Sequence, residues 1–290
     1  MCDKLLALTG NPFYADQIEK SLYNALMAAL KDDASQIAKY SPMEGHRCEG
    51  EEQCGMHINC CNANGPRAFA LIPDFAVKKM GNEVYVNYYG DMSASLENGH
   101  NKVLVKQHTT YPVSNVIDIT IDVTKENVFG LHLRVPVWSA QTVITLNGEE
   151  LKDICPGTYH AITRKWKKGD HIQIILDMPA RLLEQNQMQA IVRGPIVLAR
   201  DSRFNDGFVD ETLVVDSEDG IVKAEVDSVP GFAWMRLKVP VTVGTDLEGV
   251  GMYRNISFCD FASAGNTWDK QVRYRVWIPR TLDVKKGHLK

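Results

Sequence analysis

Apolar positions along this chain change their period once, and the change divides it. Between Lys4 and Leu30 they recur at helical spacing: Leu5, Leu6 and Leu8, then, after a break at Gly10-Asn11-Pro12, Tyr14, Ile18, Leu22, Leu26 and Leu30. The spacing predicts a helix end, a turn and an amphipathic helix. Asn11 is its expected N-cap and Pro12 its first residue, where the missing proline N–H costs nothing. Residues 31–67 show no period and mix Gly, Pro, His, Glu and Cys, which predicts a long loop of the length that is usually functional within a compact domain. Past Pro66, the apolar stretch from Phe69 to Val77 reads as one more helix ending near Met80-Gly81.

Beyond Asn82 the helical period gives way to short β-branched runs. "EVYVNYYG", "NVIDITIDVT", "FGLHLRVPVW", "TVITLNG", "HIQIILDMP" and "AIVRGPIVLA" are separated by Gly, Pro, Asn and Asp turns, the pattern of an antiparallel β-sandwich. A second set of strands runs from Leu213 to Val276, with the junction expected near Arg181 to Gln189. The expected fold is mainly β with an N-terminal α segment. Three domains are expected: residues 1–82 (helices and cysteine-bearing loop), 83–184 (β-sandwich) and 185–290 (second β-sandwich, its final strand free to return to the first). Two or three helices cannot cover their own apolar faces, so the opening helices are expected to be the tail of something larger.

Composition narrows the function classes. The 290 residues are 44% hydrophobic, enough for a sizeable core. Their 32 basic and 36 acidic side chains leave a formal charge of -4, which lacks the basic footprint of a nucleic-acid binder. Apolar runs fall short of the roughly 20 residues that cross a bilayer, and Asp3 and Lys4 interrupt any signal-peptide core, so neither nucleic acid nor membrane is an expected partner. The compartment stays open between cytoplasm and periplasm or secretion.

Seven cysteines are too few for a disulfide scaffold, yet Cys48, Cys54, Cys60 and Cys61 crowd between positions 48 and 61. In "HINCCNANGPRAF", Cys60 and Cys61 are neighbours, and neighbours rarely bridge each other because the ring is strained. Metal ligation, thiolate chemistry and plain burial remain as their uses. Cys48 and Cys54 could join His46 and His57 in a structural zinc site, but their gaps lack the short knuckle spacing. Glu44, Glu49, Glu51 and Glu52 include candidates for a proton donor, against the plainer reading of a solvated acidic loop. His57 and Arg67 are candidate ligand contacts, with Arg67 equally able to brace the following helix. Asn62 and Asn64 read as turn formers. Trp138, Trp166, Trp234, Trp268 and Trp277 sit in or beside strand patterns and read as packing residues rather than ligand platforms.

"YADQIEKSLYNAL" (Tyr14 to Leu26), "CCNANGPR" (Cys60 to Arg67), "LRVPVWS" (Leu133 to Ser139), "YHAITRKWKKGDHIQIILDMPAR" (Tyr159 to Arg181) and "VRGPIVLA" (Val192 to Ala199) resemble the C-terminal half of glycoside hydrolase family 127, whose founding activity is β-L-arabinofuranosidase. The resemblance spans roughly residues 1–200. It implies the last helices of an (α/α)6 barrel followed by two antiparallel β-sandwich domains. It also implies a retaining glycosidase whose nucleophile is a zinc-held cysteine thiolate, with Cys60 as nucleophile and metal ligand and Cys61 as a second ligand. The remaining ligands, a Glu and a Cys two residues apart, and the general-acid Glu are then expected upstream of Met1, which leaves this chain with an incomplete zinc site and little or no activity alone. The expected partner is a carbohydrate, most plausibly an L-arabinofuranoside or related plant-polysaccharide sugar, and a homodimer is compatible with it. The founding members differ at one place, carrying a further cysteine where Ile58 stands. A non-catalytic β-sandwich module for carbohydrate binding or scaffolding, with structural cysteines, is the competing reading.

Overall fold

The computed structural model describes residues 1–55, 60–98, 101–227, 231–245 and 251–280. Five α-helices open it: α1 (Cys2–Thr9), α2 (Pro12–Lys20), α3 (Gly50–Cys54), α4 (Cys61–Ala70) and α5 (Ile72–Ala76). Gly10 closes α1 in the left-handed region at φ 64°, its N–H bonding the Leu6 carbonyl, a conformation open to glycine because it has no Cβ. Asn11 caps α2 by accepting the Phe13 N–H, and Pro12 is the first helical residue, as the spacing predicts. The helical run ends at Ala28 rather than Leu30, and within it Ser21–Leu26 is wound as a π-helix.

The expected helix past Pro66 is different in detail. It begins earlier, at Cys61, and Val77–Met80 is a strand, not a last helical turn. That strand pairs antiparallel with Glu83–Val86 across a two-residue turn in which Gly81 takes φ 61° at the first central position, the chemistry of a tight hairpin. A local turn signal thus overrides the helical-looking apolar spacing.

The chain forms two compact units that interleave along the sequence. The first comprises Met1–Ser21 and Pro66–Met178, the second Leu22–Gly65 and Pro179 onward. In the first unit, a six-stranded sheet runs in the order Met92–Asn98, Asn101–His108, Val116–Val123, Asp170–Ile175, Val143–Leu146, Glu149–Glu150. A four-stranded sheet runs Thr158–Trp166, Asn127–Val135, Glu83–Val86, Val77–Met80. Every pair is antiparallel except Glu83–Val86 against Asn127–Val135, which is parallel with Val84 opposite Leu131. Strict alternation in "VIDITIDV" buries Ile117, Ile119, Ile121 and Val123 and leaves the aspartates outward. With Val84, Val86, Leu131, Leu133 and Trp166 these side chains make the core of the unit.

Helix α2 is tied to this sheet by charge rather than by oil. Arg134 is fully buried and forms ion pairs with Asp16 and, at 2.6 Å, with Glu19, while its Nε donates to the Asn87 carbonyl at 2.7 Å. The Tyr111 hydroxyl donates to Glu19 Oε1 at 2.7 Å, and Asp16 also accepts the Val137 N–H at 3.1 Å. Two carboxyls share one guanidinium away from water, so burial pushes the Glu19 carboxyl above its usual range, against the pull of Arg134.

The second unit is built on one long sheet. Its order is Val214–Val215, Arg236–Thr245, Gly251–Asp260, Ile196–Asp201, Met188–Arg193, Ala180–Gln185, Ile221–Val222, Ser217–Glu218. The last described strands stay within it: Tyr274–Arg275 pairs with Ile196–Asp201 and with Glu44–Gly45, and Ile278–Pro279 pairs with Met188–Arg193. Asn24 joins the π-helix to this sheet, accepting the Val197 N–H and donating to the Pro195 carbonyl, each at 2.8 Å. Among the described residues, no helix is long and apolar enough to cross a membrane.

The ion cluster sets a test. Glu19 binds protons more tightly folded than unfolded, so its contribution to stability is greatest at acidic pH and declines as pH rises from the ordinary glutamate range through its raised value. Glu19→Gln keeps the Oε1 acceptor and removes that decline, which urea unfolding at a series of pH values reads as a difference curve against the parent. Arg134→Met strands two buried carboxylates and is expected to cost about 3–5 kcal/mol at neutral pH.

Candidate active site

Cys60 and Cys61 stand at the N-terminal end of α4. The Cys60 carbonyl accepts the first helical N–H groups, from Ala63 at 3.2 Å and Asn64 at 3.1 Å, and the Asn64 side-chain amide donates to the same oxygen at 3.1 Å. Asn62 and Asn64, which the sequence suggests as turn formers, instead lie in the first turns of this helix, as do Gly65 and Pro66. The pair is presented by the end of a helix, the positive pole of its dipole.

Gly65 explains how the helix fits. It is buried, and a Cβ built there would lie 2.2 Å from Ile37 Cδ1, so α4 touches the Ile37 side chain at the glycine. Ile37 belongs to a small hairpin, closed by the Leu30–Ile37 bridge and by the Ala38 N–H bonding the Ala29 carbonyl at 2.7 Å. Cys61 is half-buried against the cluster of Ala29, Ile37 and Ala38, together with Leu26, Leu30 and Trp268. Its sulfur lies 4.0 Å from the Lys39 carbonyl. Cys60, one residue earlier, is exposed.

The strand of chain leading from that hairpin is clamped from its other side by α3. Gln53 Oε1 accepts from the Lys39 N–H at 2.7 Å and the Tyr40 N–H at 3.2 Å, and its Nε2 donates to the Tyr40 carbonyl at 2.8 Å. Arg47, buried, pins the loop between: it donates to the carbonyls of Ala28, Phe261 (2.5 Å) and Ala264 (2.5 Å), with its guanidinium over the rings of Phe261 and Tyr274 at 4.8 Å each. The cysteine segment is thus held by the loop that follows Gly251–Asp260. Gln53 and Arg47 carry no local sequence signal, since each acts through a partner outside its own segment.

Other candidates fall elsewhere. Arg67 is exposed in the last turn of α4. His57 lies outside the described residues. Glu44 and Glu52 are exposed and paired with Arg275 (2.9 Å) and Lys270 (3.2 Å), which suits the solvated-loop reading. Cys48 is half-buried, its thiol pushed up by burial and then by Glu52.

Burial also pushes the Cys61 thiol up, and so does the adjacent Cys60 sulfur, partly offset by Lys39. The helix pole favours an anion at this place, yet the second thiol resists ionising beside the first. A soft cation resolves that conflict, because zinc prefers thiolates and keeps them deprotonated. In donor chemistry the pair fits zinc. Two thiols would be two of the four ligands of a tetrahedral zinc, and no group of three or more His, Cys, Asp or Glu side chains suited to a metal occurs among the described residues.

Comparison with known proteins places this arrangement. The model of the β-L-arabinofuranosidase catalytic domain of glycoside hydrolase family 127 matches residues 1–74, and that of the family's middle domain matches residues 83–178. The chain belongs to glycoside hydrolase family 127, carrying the end of the catalytic domain and the middle domain. It is 24% identical over 232 residues to the non-reducing end β-L-arabinofuranosidase of Bifidobacterium longum subsp. longum, a match covering 70% of this chain and 34% of that protein. Its fold is that of a family 127 β-L-arabinofuranosidase from Geobacillus stearothermophilus T6, with TM-score 0.81 and 19% identity over 97% of this chain and 48% of the other. A second solved family 127 β-arabinofuranosidase gives TM-score 0.80 and 22% identity over the same shares. The chain spans about a third of the curated relative's length and about half that of the solved ones.

The close approach at Gly65 yields a double-mutant test. Gly65→Ala gains helix propensity but drives its methyl into Ile37, and the overpacking is expected to win by about 1–2 kcal/mol. Ile37→Val deletes the clashing Cδ1, so Gly65→Ala/Ile37→Val should recover most of that loss in chemical unfolding. Strict additivity of the two changes would show that the helix does not rest on Ile37.

Proposed function

We propose that this chain contributes the nucleophile of a retaining glycosidase that releases L-arabinofuranose or a related plant-polysaccharide sugar, with Cys60 as the attacking sulfur and Cys61 as the neighbouring metal ligand. The observation that carries this reading is the division of labour in the thiol pair: Cys60 is exposed at the helix end, and Cys61 is packed against Ala29, Ile37 and Ala38. Membership of the family supports a glycosidase, and the curated relative's activity on non-reducing-end β-L-arabinofuranosides supports the sugar. Zinc, when bound, would keep both thiols ionised at neutral pH.

The Cys60 sulfur donates an electron pair to the anomeric carbon, a C–S bond forms, and the glycosidic C–O bond breaks with its electrons leaving on the aglycone oxygen, which takes a proton from a general acid. Water then attacks the same carbon from the opposite face, loses a proton, and returns the sulfur as thiolate. Two inversions give net retention. Exposure gives Cys60 the access this requires; Cys61, fixed by packing, does not need it. His57 and Arg67 remain proposed sugar contacts. Because the chain spans about half the length of the solved family 127 enzymes, the 290 residues alone are proposed to turn over substrate slowly or not at all.

Substitution in the longer enzyme tests the assignment. Cys60→Ser is expected to lower kcat by about 10³-fold or more while leaving the thermal midpoint nearly unchanged. Cys61→Ser is expected to lower bound zinc, measured by elemental analysis, together with kcat. A Cys60→Ser enzyme with parental turnover would return the chain to the reading of a non-catalytic sandwich module.

A further inference from the structure

Trp268 combines three features that no packing role requires together. Its backbone sits in the left-handed region at φ 58°, which a bulky aromatic residue rarely adopts. Its indole N–H is buried and makes no hydrogen bond among the described residues. It packs against Ala29, Ile37 and Ala38, the cluster that also receives Cys61.

The surrounding loop is held firmly enough to impose that conformation. The Trp268 N–H bonds the Gly265 carbonyl at 3.1 Å, and the Asp32 N–H bonds the Asn266 carbonyl at 3.0 Å, fastening the loop to the hairpin that carries Ile37. Gly265, at φ 62°, lies so close to Tyr274 that an added Cβ would meet its ring at 2.7 Å. Lys270 reaches Glu52 on α3 at 3.2 Å. A strained residue persists where its neighbours over-determine it, and such strain concentrates where a side chain must be delivered to one place.

From this we infer that Trp268 is a positioning residue for Cys61: the indole walls the cluster on which that sulfur rests, so that Cys61 is held in place and shielded while Cys60 stays free. The inference rests on reading Cys61 as the held member of the pair. Cys61 is the member of the pair that packs on this cluster, while Cys60 is exposed.

The test labels the folded chain with iodoacetamide at fixed pH and follows Cys60 and Cys61 separately by peptide mass spectrometry, in the parent and in Trp268→Phe, Trp268→Leu and Trp268→Ala. Near-ultraviolet circular dichroism identifies which variants keep the native fold, and the smallest folded replacement is decisive. Cys61 labelling should rise about tenfold toward the Cys60 rate in that variant, with Cys60 unchanged and Trp268→Phe close to parental. The thiolate-to-metal absorbance on adding Cd²⁺ alone, taken as the difference from Cys60→Ser/Cys61→Ser, should need about tenfold more metal to saturate in the decisive variant. Parental Cys61 labelling and Cd²⁺ response in a folded Leu or Ala variant, or equal acceleration at both cysteines, would overturn the inference. Neither readout involves sugar or turnover, so it can fail while Cys60 remains the nucleophile, and it can hold even if Cys60→Ser keeps its activity.

Discussion

A missing methyl group organises the thiol pair. Because Gly65 has no Cβ, the first turns of α4 lie directly on Ile37, and the helix end then places two consecutive cysteines in unlike surroundings. One sulfur enters the Ala29–Ile37–Ala38 cluster and the other does not. Two sulfurs at the positive pole of a helix, one opposing the other's ionisation, form a site whose electrostatics favour a soft cation.

Rigid polar anchors hold this contact where apolar area is scarce. Gln53 satisfies the backbone of Lys39 and Tyr40, and Arg47 donates to the carbonyls of Ala28, Phe261 and Ala264 with its guanidinium over the rings of Phe261 and Tyr274. In the first unit, Arg134 does comparable work for α2 by gathering Asp16 and Glu19. Breaking one partner of such a buried group leaves an unpaired charge or donor, so these anchors fix geometry more strongly than their net stabilisation suggests.

Much of this was legible from residue order, and the failures have physical causes. Asn11, Pro12 and Gly10 announce helix boundaries because capping is local, and "VIDITIDV" announces a half-buried strand because side chains alternate at period two. The strand Val77–Met80 was hidden because its four residues are too short to show a period, leaving the Gly81-Asn82 turn to decide. Asn62 and Asn64 read as turn formers because Asn is common in turns; here they lie in the first turns of α4, and Gly65 is needed for contact with Ile37. Arg47 and Gln53 were invisible for a different reason: each acts on a segment brought near by the fold, with no local pattern to mark it, and Trp268 read only as a packing residue. Family resemblance drew attention to Cys60 and Cys61, and the geometry adds the asymmetry between them.

The most direct measurement is to rapidly quench the longer enzyme during turnover of a slowly hydrolysed arabinofuranoside and map the sugar-bearing peptide by mass spectrometry. A single pentosyl group on the Cys60 sulfur, with Cys61 unmodified, is the predicted result. A pentosyl ester on a carboxylate, or a label on Cys61 in place of Cys60, would contradict it.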